Sequence, residues 1–115
     1  MHLVHERDGE RRTLATTVET ADTFLSQVRG LMFRRSVPDD YALVFRFDEA
    51  DDRDVHMLFV FFPLDVLWLV ADEVVAVKRL SPWTGVAVET ADTLVELPAG
   101  AAHAVETGDT VRLVE

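Results

Sequence analysis

Two polar side chains stand inside the longest apolar stretch of the chain, and both could do acid–base or binding chemistry. His56 and Asp65 lie within Val55–Val70, where nearly every other residue is apolar. A buried imidazole or carboxylate without a partner is costly, so each must find a hydrogen bond or face water. A carboxylate near a histidine can also shift the pKa of the ring and fix its tautomer. The pair therefore predicts either a structural hydrogen-bond network or the rim of a cleft, and the sequence leaves both open.

Two arginines flank a short apolar segment in the first third of the chain. Arg29 and Arg34 stand on either side of Gly30-Leu31-Met32-Phe33. Arginines near a helix end can bond the last carbonyl groups and favour the negative end of the helix dipole. They can also pair with an acid such as Asp65 or Glu96. A guanidinium group grips a carboxylate or phosphate through two parallel hydrogen bonds, so an anion-binding fork is the functional alternative.

The two tryptophans stand in different contexts. Trp68 lies in the apolar stretch, and we expect it in the core. Trp83 lies in the loop Ser81–Gly85. An exposed tryptophan there would be a favoured anchor for a ligand or a partner protein, although such a side chain can also fold back onto the core. The candidate ligand-binding residues are therefore His56, Asp65, Arg29, Arg34 and Trp83.

Motifs for phosphate binding, dinucleotide binding, serine hydrolysis and zinc proteolysis are absent from the sequence. The chain has no cysteine, which excludes a thiolate zinc site, a cysteine nucleophile and a disulfide framework. His2 and His5 could share a strand edge, but they lie close to the terminus. We therefore expect no metal and no cofactor, and no motif identifies a catalytic residue.

The charge balance is strongly acidic, because 21 Asp and Glu residues against 11 Lys and Arg give a formal net charge of −10. In so small a chain these carboxylates repel one another, whereas at molar salt the Debye length falls to about 3 Å and the repulsion is screened. The absence of Ile and Asn is typical of a GC-rich genome, and with the acid excess it favours an extreme halophile as the source, the alternative being an acidic protein of a GC-rich mesophile. The bases are scattered among acids, so we expect no nucleic-acid partner, which would favour clustered Lys and Arg.

Two segments bear on the location of the chain in the cell. Met1–Glu6 lacks the apolar core of a secretory signal. Val55–Val70 is almost wholly apolar, but it falls short of the ~20 residues of a spanning helix and contains a proline, a histidine and an aspartate. We therefore expect a cytoplasmic protein whose apolar stretch forms the core, with no membrane contact.

The order of elements predicts an α+β fold in one small domain that spans residues 1–115. Short apolar or alternating runs between turn residues predict about eight or nine strands in a largely antiparallel, curled or barrel-like sheet. One short helix is expected to begin at Thr20 or Asp22, and a second is expected over Ala99–Glu106. The acidic stretch Asp48–Asp54 is expected to be a solvated loop.

Several short segments follow one order along the chain: Arg29-Gly30-Leu31-Met32-Phe33-Arg34, Val44-Phe45, Pro63-Leu64-Asp65, Leu94-Val95-Glu96-Leu97-Pro98-Ala99-Gly100 and Gly108-Asp109. In these segments, and from Thr13 to the C-terminus, the chain resembles the uncharacterised family known as domain of unknown function 192. Many members read Phe-Trp-Met-Lys-Asn-Thr where this chain has Val55-His56-Met57-Leu58-Phe59-Val60, so the polar Lys-Asn-Thr trio is missing here. The resemblance implies a compact, β-rich small domain and supplies no catalytic residue.

Three classes of function follow from these observations. The leading hypothesis is a non-catalytic binding module for a small polar or anionic ligand or a protein partner, with a cleft near His56, Asp65 and the two arginines. The second is a hydrolase that uses Asp65 and His56 as acid–base groups, which requires a second titratable residue beside His56 in space. The third is an accessory protein that docks a partner through the Trp83 loop.

The acid excess predicts that salt stabilises the fold. Raising KCl from about 0.1 M to about 2 M should raise the temperature of thermal unfolding, because screening relieves the repulsion among carboxylates. Circular dichroism scans at the two concentrations measure the effect. An unfolding temperature that stays the same or falls in high salt would contradict salt adaptation.

Overall fold

Eight strands form the framework of the protein in a computed structural model that describes residues 1–23, 27 and 29–115. They are β1 (His2–Arg7), β2 (Glu10–Ala15), β3 (Thr17–Ala21), β4 (Tyr41–His56), β5 (Leu64–Val70), β6 (Glu73–Leu80), β7 (Val86–Pro98) and β8 (Thr110–Val114). All eight belong to one open sheet in the order β2-β1-β8-β6-β5-β7-β4-β3. In the described part of the chain, no helix has the length and apolar character needed to cross a membrane.

The two edge strands of this sheet are neighbours in the chain. β2 ends at Ala15 and β3 begins at Thr17, so the single residue Thr16 joins opposite edges of the sheet. The sheet must therefore curl until its edges meet at that corner. The carbonyl oxygen of Asp40 holds the corner, since it accepts hydrogen bonds from the N–H groups of Thr16 and Thr17, both at 3.0 Å. β3 then pairs in parallel with β4, whereas the other neighbouring strands are antiparallel.

Apolar side chains cover both faces of the sheet. β5 shows this most clearly, because the residues from Leu64 to Leu69 are all buried whichever way they point. Alternate positions of the central strands supply two clusters of buried residues. The first cluster includes Leu43, Phe45, Val66, Trp68 and Leu94. The second cluster includes Val44, Leu67, Leu69, Val95 and Leu97. Burial on both faces explains the unbroken apolar run of the sequence and confirms that Trp68 lies in the core.

The predicted α+β fold with two short helices is wrong, because the elements of the described part of the chain are all strands. Residues 99–106, expected to be helical, form tight turns in which an N–H bonds a carbonyl three residues back, as from His103 to Gly100 at 3.2 Å. Gly100 has a φ of 96°, a left-handed conformation that a continuing helix does not contain. The local apolar pattern favours a helix here, and the packing of the turns against β5 overrides it.

The other expected helix begins at Thr20 or Asp22 in the prediction and includes residues 24–26 and 28, which lie outside the described residues. Thr20 itself belongs to β3, so the chain is still extended where the helix was expected to start.

The acidic stretch Asp48–Asp54 is part of a strand and not the solvated loop that its charge predicts. β4 continues through it and pairs with β7, where Asp52 lies opposite Thr90. A register shift between Arg46 and Asp51 marks a bulge at the start of the stretch. The aspartates in the stretch are exposed, so the strand accommodates their charges without burying them.

A buried carboxylate holds β1 against the turn that precedes β8. Asp109 accepts a hydrogen bond from Nε of Arg7 at 2.9 Å, and its Oδ2 lies 2.7 Å from Nε2 of His5. The N–H of Glu106 donates to the same oxygen at 2.8 Å. These bonds, with that of Arg7 foremost, hold the pKa of Asp109 well below its usual range. His5 is thus a buried structural residue, although its place near the terminus suggests an exposed one.

Asp65 plays a similar part for the turns after β7. Its Oδ1 accepts a hydrogen bond from Nε of Arg79 at 2.9 Å. Its Oδ2 accepts two more, from the N–H groups of Gly100 at 2.9 Å and Ala102 at 3.0 Å. Asp65 is buried, so these three donors satisfy a carboxylate that water does not reach. It ties β5 to β6 and fixes the turns that replace the second predicted helix.

Replacing Asp65 with asparagine should lower the free energy of unfolding by about 2–4 kcal/mol, because an amide cannot accept all three hydrogen bonds. The side chain of Arg79 is 59% exposed, so most of the loss comes from the two backbone N–H groups. Asp48→Asn makes the same change on an exposed residue and should stay within about 0.5 kcal/mol of the wild type. Urea denaturation measures both variants, and equal midpoints would contradict the structural role of Asp65.

Candidate functional site

A cavity of about 360 Å³ opens on the side of the sheet that carries the first cluster. Its walls come from β4, from Leu94 and Glu96 of β7, from Gln27 and residues 29–32, and from Val60 in the loop after β4. The size suits a small organic molecule. These parts are widely separated in the sequence, and only the pairing of the sheet brings them together.

Backbone hydrogen bonds between loops hold the walls of the cavity in place. The N–H of Phe33 donates to the carbonyl oxygen of Phe59 at 2.8 Å, which lays the segment before Phe33 against the loop after β4. The N–H of Met57 donates to Gly85 at 2.9 Å, and the N–H of Trp83 donates to Met57 at 3.0 Å. A Cβ added to Gly85 would lie 2.9 Å from the side chain of Met57, so only glycine fits there.

The lining of the cavity is mostly apolar, with titratable groups at a few points. Its apolar residues are Leu31, Met32, Phe45, Phe47, Val55, Val60 and Leu94. Its titratable residues are Arg29, Asp52, Arg53, Asp54, His56 and Glu96. An apolar pocket with a few convergent polar groups is the usual form of a small-molecule site.

Glu96 is the buried acid of this cavity. It lies on β7 between Leu43 of β4 and Val66 of β5, which are its cross-strand neighbours, so both flanks are apolar. Only 7% of Glu96 is exposed, and its Oε1 has no hydrogen-bond partner within residues 1–23, 27 and 29–115. A buried polar atom without a partner is rare in native proteins and costs stability. At Oε1 the fold by itself therefore leaves a hydrogen bond unmade.

Burial also changes the titration of Glu96. Removal of the carboxyl group from water raises the pKa of Glu96 from 4.5 to about 7. Near neutral pH the group therefore exists in both forms. As a carboxylate it accepts hydrogen bonds, and as a neutral acid it can donate one. An acid perturbed in this way inside a cleft is typical of functional sites.

Two of the residues singled out from the sequence, His56 and Arg29, line the cavity. Both are exposed, so they belong to its solvent-facing side. Nδ1 of His56 accepts a hydrogen bond from the N–H of Leu58 at 3.2 Å, which puts the proton of the neutral ring on Nε2. The guanidinium group of Arg29 makes no hydrogen bond or ion pair with another described residue. Its guanidinium group is therefore free to meet a ligand.

Two other candidates, Asp65 and Arg34, do not line the cavity. Asp65 is taken up by its structural bonds, and its arginine partner is Arg79 of the neighbouring strand. Arg34 pairs with Glu19 instead, at 3.2 Å between Nη1 and Oε1. The structure thus does not bring Asp65 and His56 into one cavity, which removes the geometric basis of a hydrolase built on that pair.

Trp83 belongs to an exposed group of rings, the aromatic cluster, formed by Phe33, Phe59, Phe61 and Trp83. Its ring centroids lie 4.9 Å apart from Phe33 to Phe59, 5.2 Å from Phe59 to Trp83 and 5.5 Å from Phe61 to Trp83. Three of its members have positive φ, namely Phe33 at 69°, Phe59 at 61° and Trp83 at 66°. Such conformations are strained for residues other than glycine. Trp83 is 46% exposed, and its role as a docking residue stays a prediction.

The described residues contain no group of three or more His, Asp or Glu side chains arranged to hold a metal ion. The chemistry that the cavity itself offers is hydrogen bonding and proton exchange at Glu96. His56 and Arg29 add a donor and a positive charge at its solvent-facing side.

Sequence reasoning does not single out Glu96, which enters it only as a possible partner for an arginine. A signal is nevertheless present, since Leu94-Val95-Glu96-Leu97 places one acid in an otherwise apolar strand. The alternation of a strand puts Glu96 on the same face as Leu94. The sequence does not show that β7 is an interior strand of the sheet with both faces covered. This position in the sheet decides that the acid is buried.

The raised pKa of Glu96 predicts how stability depends on pH. Between about pH 4.5 and about pH 7 the folded state holds a proton that the unfolded state has lost, so the free energy of unfolding should fall by about 3 kcal/mol over that range. Glu96→Gln should abolish this decrease, whereas Glu73→Gln, the same change on an exposed residue, should retain it. Urea denaturation across the range measures the difference between the profiles. The same slope in both variants would contradict a buried, protonated Glu96.

Comparison with known sequences places the chain among uncharacterised proteins. It matches the family model of domain of unknown function 192, described as "Uncharacterized ACR, COG1430", over residues 4–113. A UPF0127 protein of Thermococcus kodakarensis is 32% identical over 98 residues, which cover 82% of this chain and 62% of that protein. A UPF0127 protein of Thermococcus gammatolerans is 33% identical over 98 residues, which cover 82% of this chain and 64% of that protein. The chain thus spans less than two thirds of the length of these relatives.

Solved structures share the fold of this chain. A protein of Sinorhizobium meliloti, named as a proposed transcription regulator, has a TM-score of 0.83 at 25% sequence identity. The match covers 96% of this chain and 92% of that protein. A protein of unknown function from Novosphingobium aromaticivorans has a TM-score of 0.81 at 22% identity and covers 97% of this chain and 84% of its own. The family model extends over nearly the whole sequence and confirms the resemblance that the short segments indicate. The chain therefore belongs to the family of domain of unknown function 192.

Proposed function

We propose that the protein is a small-molecule binding domain, and that its ligand occupies the cavity and places a polar group against Glu96. The observation that carries the proposal is the unpaired, buried Oε1 of Glu96 in the cavity wall. The two other buried acids, Asp65 and Asp109, each receive several donors from the protein itself. Glu96 differs from them in that a bound molecule could supply the donor it lacks, which would remove the cost of an unmade hydrogen bond.

The walls indicate the size and character of this ligand. A cavity of about 360 Å³ lies at the lower end of the usual range, so the ligand should be a small molecule. Apolar side chains line most of it, so the body of the ligand should be apolar as well. His56 and Arg29, on the solvent-facing side, are the sequence candidates that this proposal retains.

Direct contact with nucleic acid is not part of the proposal. The net charge of −10 opposes approach to a phosphate backbone. A regulatory role such as the name of the Sinorhizobium neighbour suggests would, in this chain, operate through a bound small molecule. Location in the cytoplasm likewise remains a prediction from the sequence.

Filling the cavity should abolish ligand binding. Val60 lines the cavity and is 3% exposed, so in Val60→Phe the larger ring should occupy the ligand space. Val86→Phe makes the same change on a valine of β7 that is 75% exposed and lies outside the cavity. We expect hits from a library of small organic molecules to bind the wild type and Val86→Phe equally, and Val60→Phe at least about tenfold more weakly.

Protein-observed NMR measures this test, because it reports affinity, location and folding together. Shifts should be confined to the cavity residues, and all three proteins should give the dispersed spectrum of a β-sheet. Equal affinities in Val60→Phe and Val86→Phe would contradict the cavity as the binding site. Shifts that map to the aromatic cluster would move the binding function to Trp83 and its neighbours.

A further inference from the structure

Of the charged groups around Glu96, some are bonded to the protein and others are free to meet a ligand. Arg53 is committed to the protein, since its Nε donates to the carbonyl oxygen of Ala91 at 3.2 Å and its Nη2 to that of Glu49 at 2.8 Å. Its guanidinium group also lies over the ring of Phe47, with 3.9 Å from Cζ to the ring centroid. Arg53 is therefore held along the bulged part of β4, where it cannot move to Glu96 without breaking three contacts.

The remaining charged groups of the cavity are exposed. Arg29 and His56 face solvent, and so do the carboxylates Asp52 and Asp54. The single hydrogen bond of the Asp52 carboxylate to another side chain comes, among the described residues, from Thr90 at 3.3 Å. Within the part of the chain that the structure describes, the buried acid Glu96 thus shares its cavity with the carboxylates Asp52 and Asp54. The one cavity arginine that is not exposed, Arg53, is already bonded to other parts of the protein.

We propose that the ligand of this cavity is a small organic cation, an amine with an apolar body, whose ammonium group donates a hydrogen bond to Oε1 of Glu96. This inference rests on the proposed function and narrows it to one class of molecule. An ammonium group supplies the missing donor and the missing counter-charge in a single contact. Because the pair forms away from water, a charge-assisted bond there is stronger than the same bond on the surface.

Gly30 lies beside Oε1 of Glu96 and has no side chain to cover it. Gly30 has a φ of 51°, and a Cβ built there would lie 3.5 Å from Oε1 of Glu96 and 3.6 Å from Cζ of Phe45. The absence of a side chain at Gly30 therefore keeps open the point where the carboxyl oxygen and an aromatic ring meet. Phe45 supplies an apolar contact beside Oε1 for the carbon atoms next to the ammonium group.

Other ligand charges fit this wall less well. At Oε1 an anion would lie against the carboxyl group itself and could bind there only while Glu96 is protonated. At the solvent-facing side, Asp52 and Asp54 oppose the attraction of Arg29 for an anion. A neutral alcohol could donate to Oε1 but would leave the carboxylate without a counter-charge. The net charge of −10 also raises the local concentration of cations around the protein.

A cationic ligand must bind in competition with a proton on Glu96. Since burial raises the pKa of Glu96 to about 7, the ionised form that an amine requires becomes scarce below neutral pH. The affinity for an amine should therefore fall about 30-fold between about pH 8 and about pH 5.5. His56 lies in the wall of the same cavity, so a variant of this residue serves as a control.

Three probes of the same shape test the inference: benzylamine, benzyl alcohol and benzoate. We expect benzylamine to bind the wild type most tightly at about pH 8 and to weaken on acidification, as measured by NMR titration at the two pH values. Glu96→Gln, which preserves the shape of the side chain, should lose at least tenfold (about 1.4 kcal/mol) in benzylamine affinity and lose the pH dependence. Glu73→Gln should bind as the wild type does, and His56→Gln should retain the pH dependence.

The outcomes separate this inference from the proposed function. Benzyl alcohol or benzoate bound in the cavity as tightly as benzylamine would overturn the cationic ligand while the binding function stands. Undiminished benzylamine affinity in Glu96→Gln, or a pH dependence that disappears in His56→Gln instead, would overturn the role of Glu96. Binding by none of the three probes would overturn the amine assignment, and if the wider library also gives no cavity shifts, the proposed function fails with it.

Discussion

The pairing of β7 with β4 on one side and β5 on the other is the constraint on which the rest of the structure depends. This ladder places the middle of β7 at the centre of the sheet, so residues from Leu94 to Leu97 are buried on both faces. Its antiparallel register puts Glu96 opposite Leu43 and Val66 and fixes the acid among apolar neighbours. The bulge in β4 allows the same ladder to continue into the acidic stretch, which forms a wall of the cavity.

Three buried acids show how differently one fold can treat a carboxyl group. Asp65 and Asp109 meet donors from the backbone and from arginines, and those donors fix the turns around them. The hydrogen bond from Arg7 lowers the pKa of Asp109, so its contribution to stability is lost only when the pH falls through that low pKa. Glu96 receives no such donor at Oε1, and burial raises the pKa of Glu96 to about 7. The first two acids stabilise the fold, whereas the third costs stability unless something else bonds it.

The loops that frame the cavity are held by backbone hydrogen bonds, and they contain residues in strained conformations. Phe33, Phe59 and Trp83 all adopt left-handed conformations, and the bonds from Phe33 to Phe59 and from Trp83 to Met57 hold them there. Each such conformation costs about 1–3 kcal/mol, which the surrounding contacts must offset. The bond from Phe33 to Phe59 also ties residues 29–32, which precede Phe33 and line the cavity, to the loop after β4.

The sequence by itself determined the family, the acidic character and the main core strand of this protein. The apolar run Leu64–Val70 forms β5 as its composition predicts, because a strand covered on both faces needs apolar residues at every position. The tertiary structure alone decided that Asp48–Asp54 is a strand, that 99–106 is a set of turns and that Asp65 meets Arg79. Charge and local propensity describe a segment in isolation, whereas strand pairing and the donors of distant residues decide these three outcomes. Glu96 follows the same rule. The sequence shows an acid among apolar residues, and only the order of the strands shows that β7 lies between β5 and β4, where Glu96 is buried.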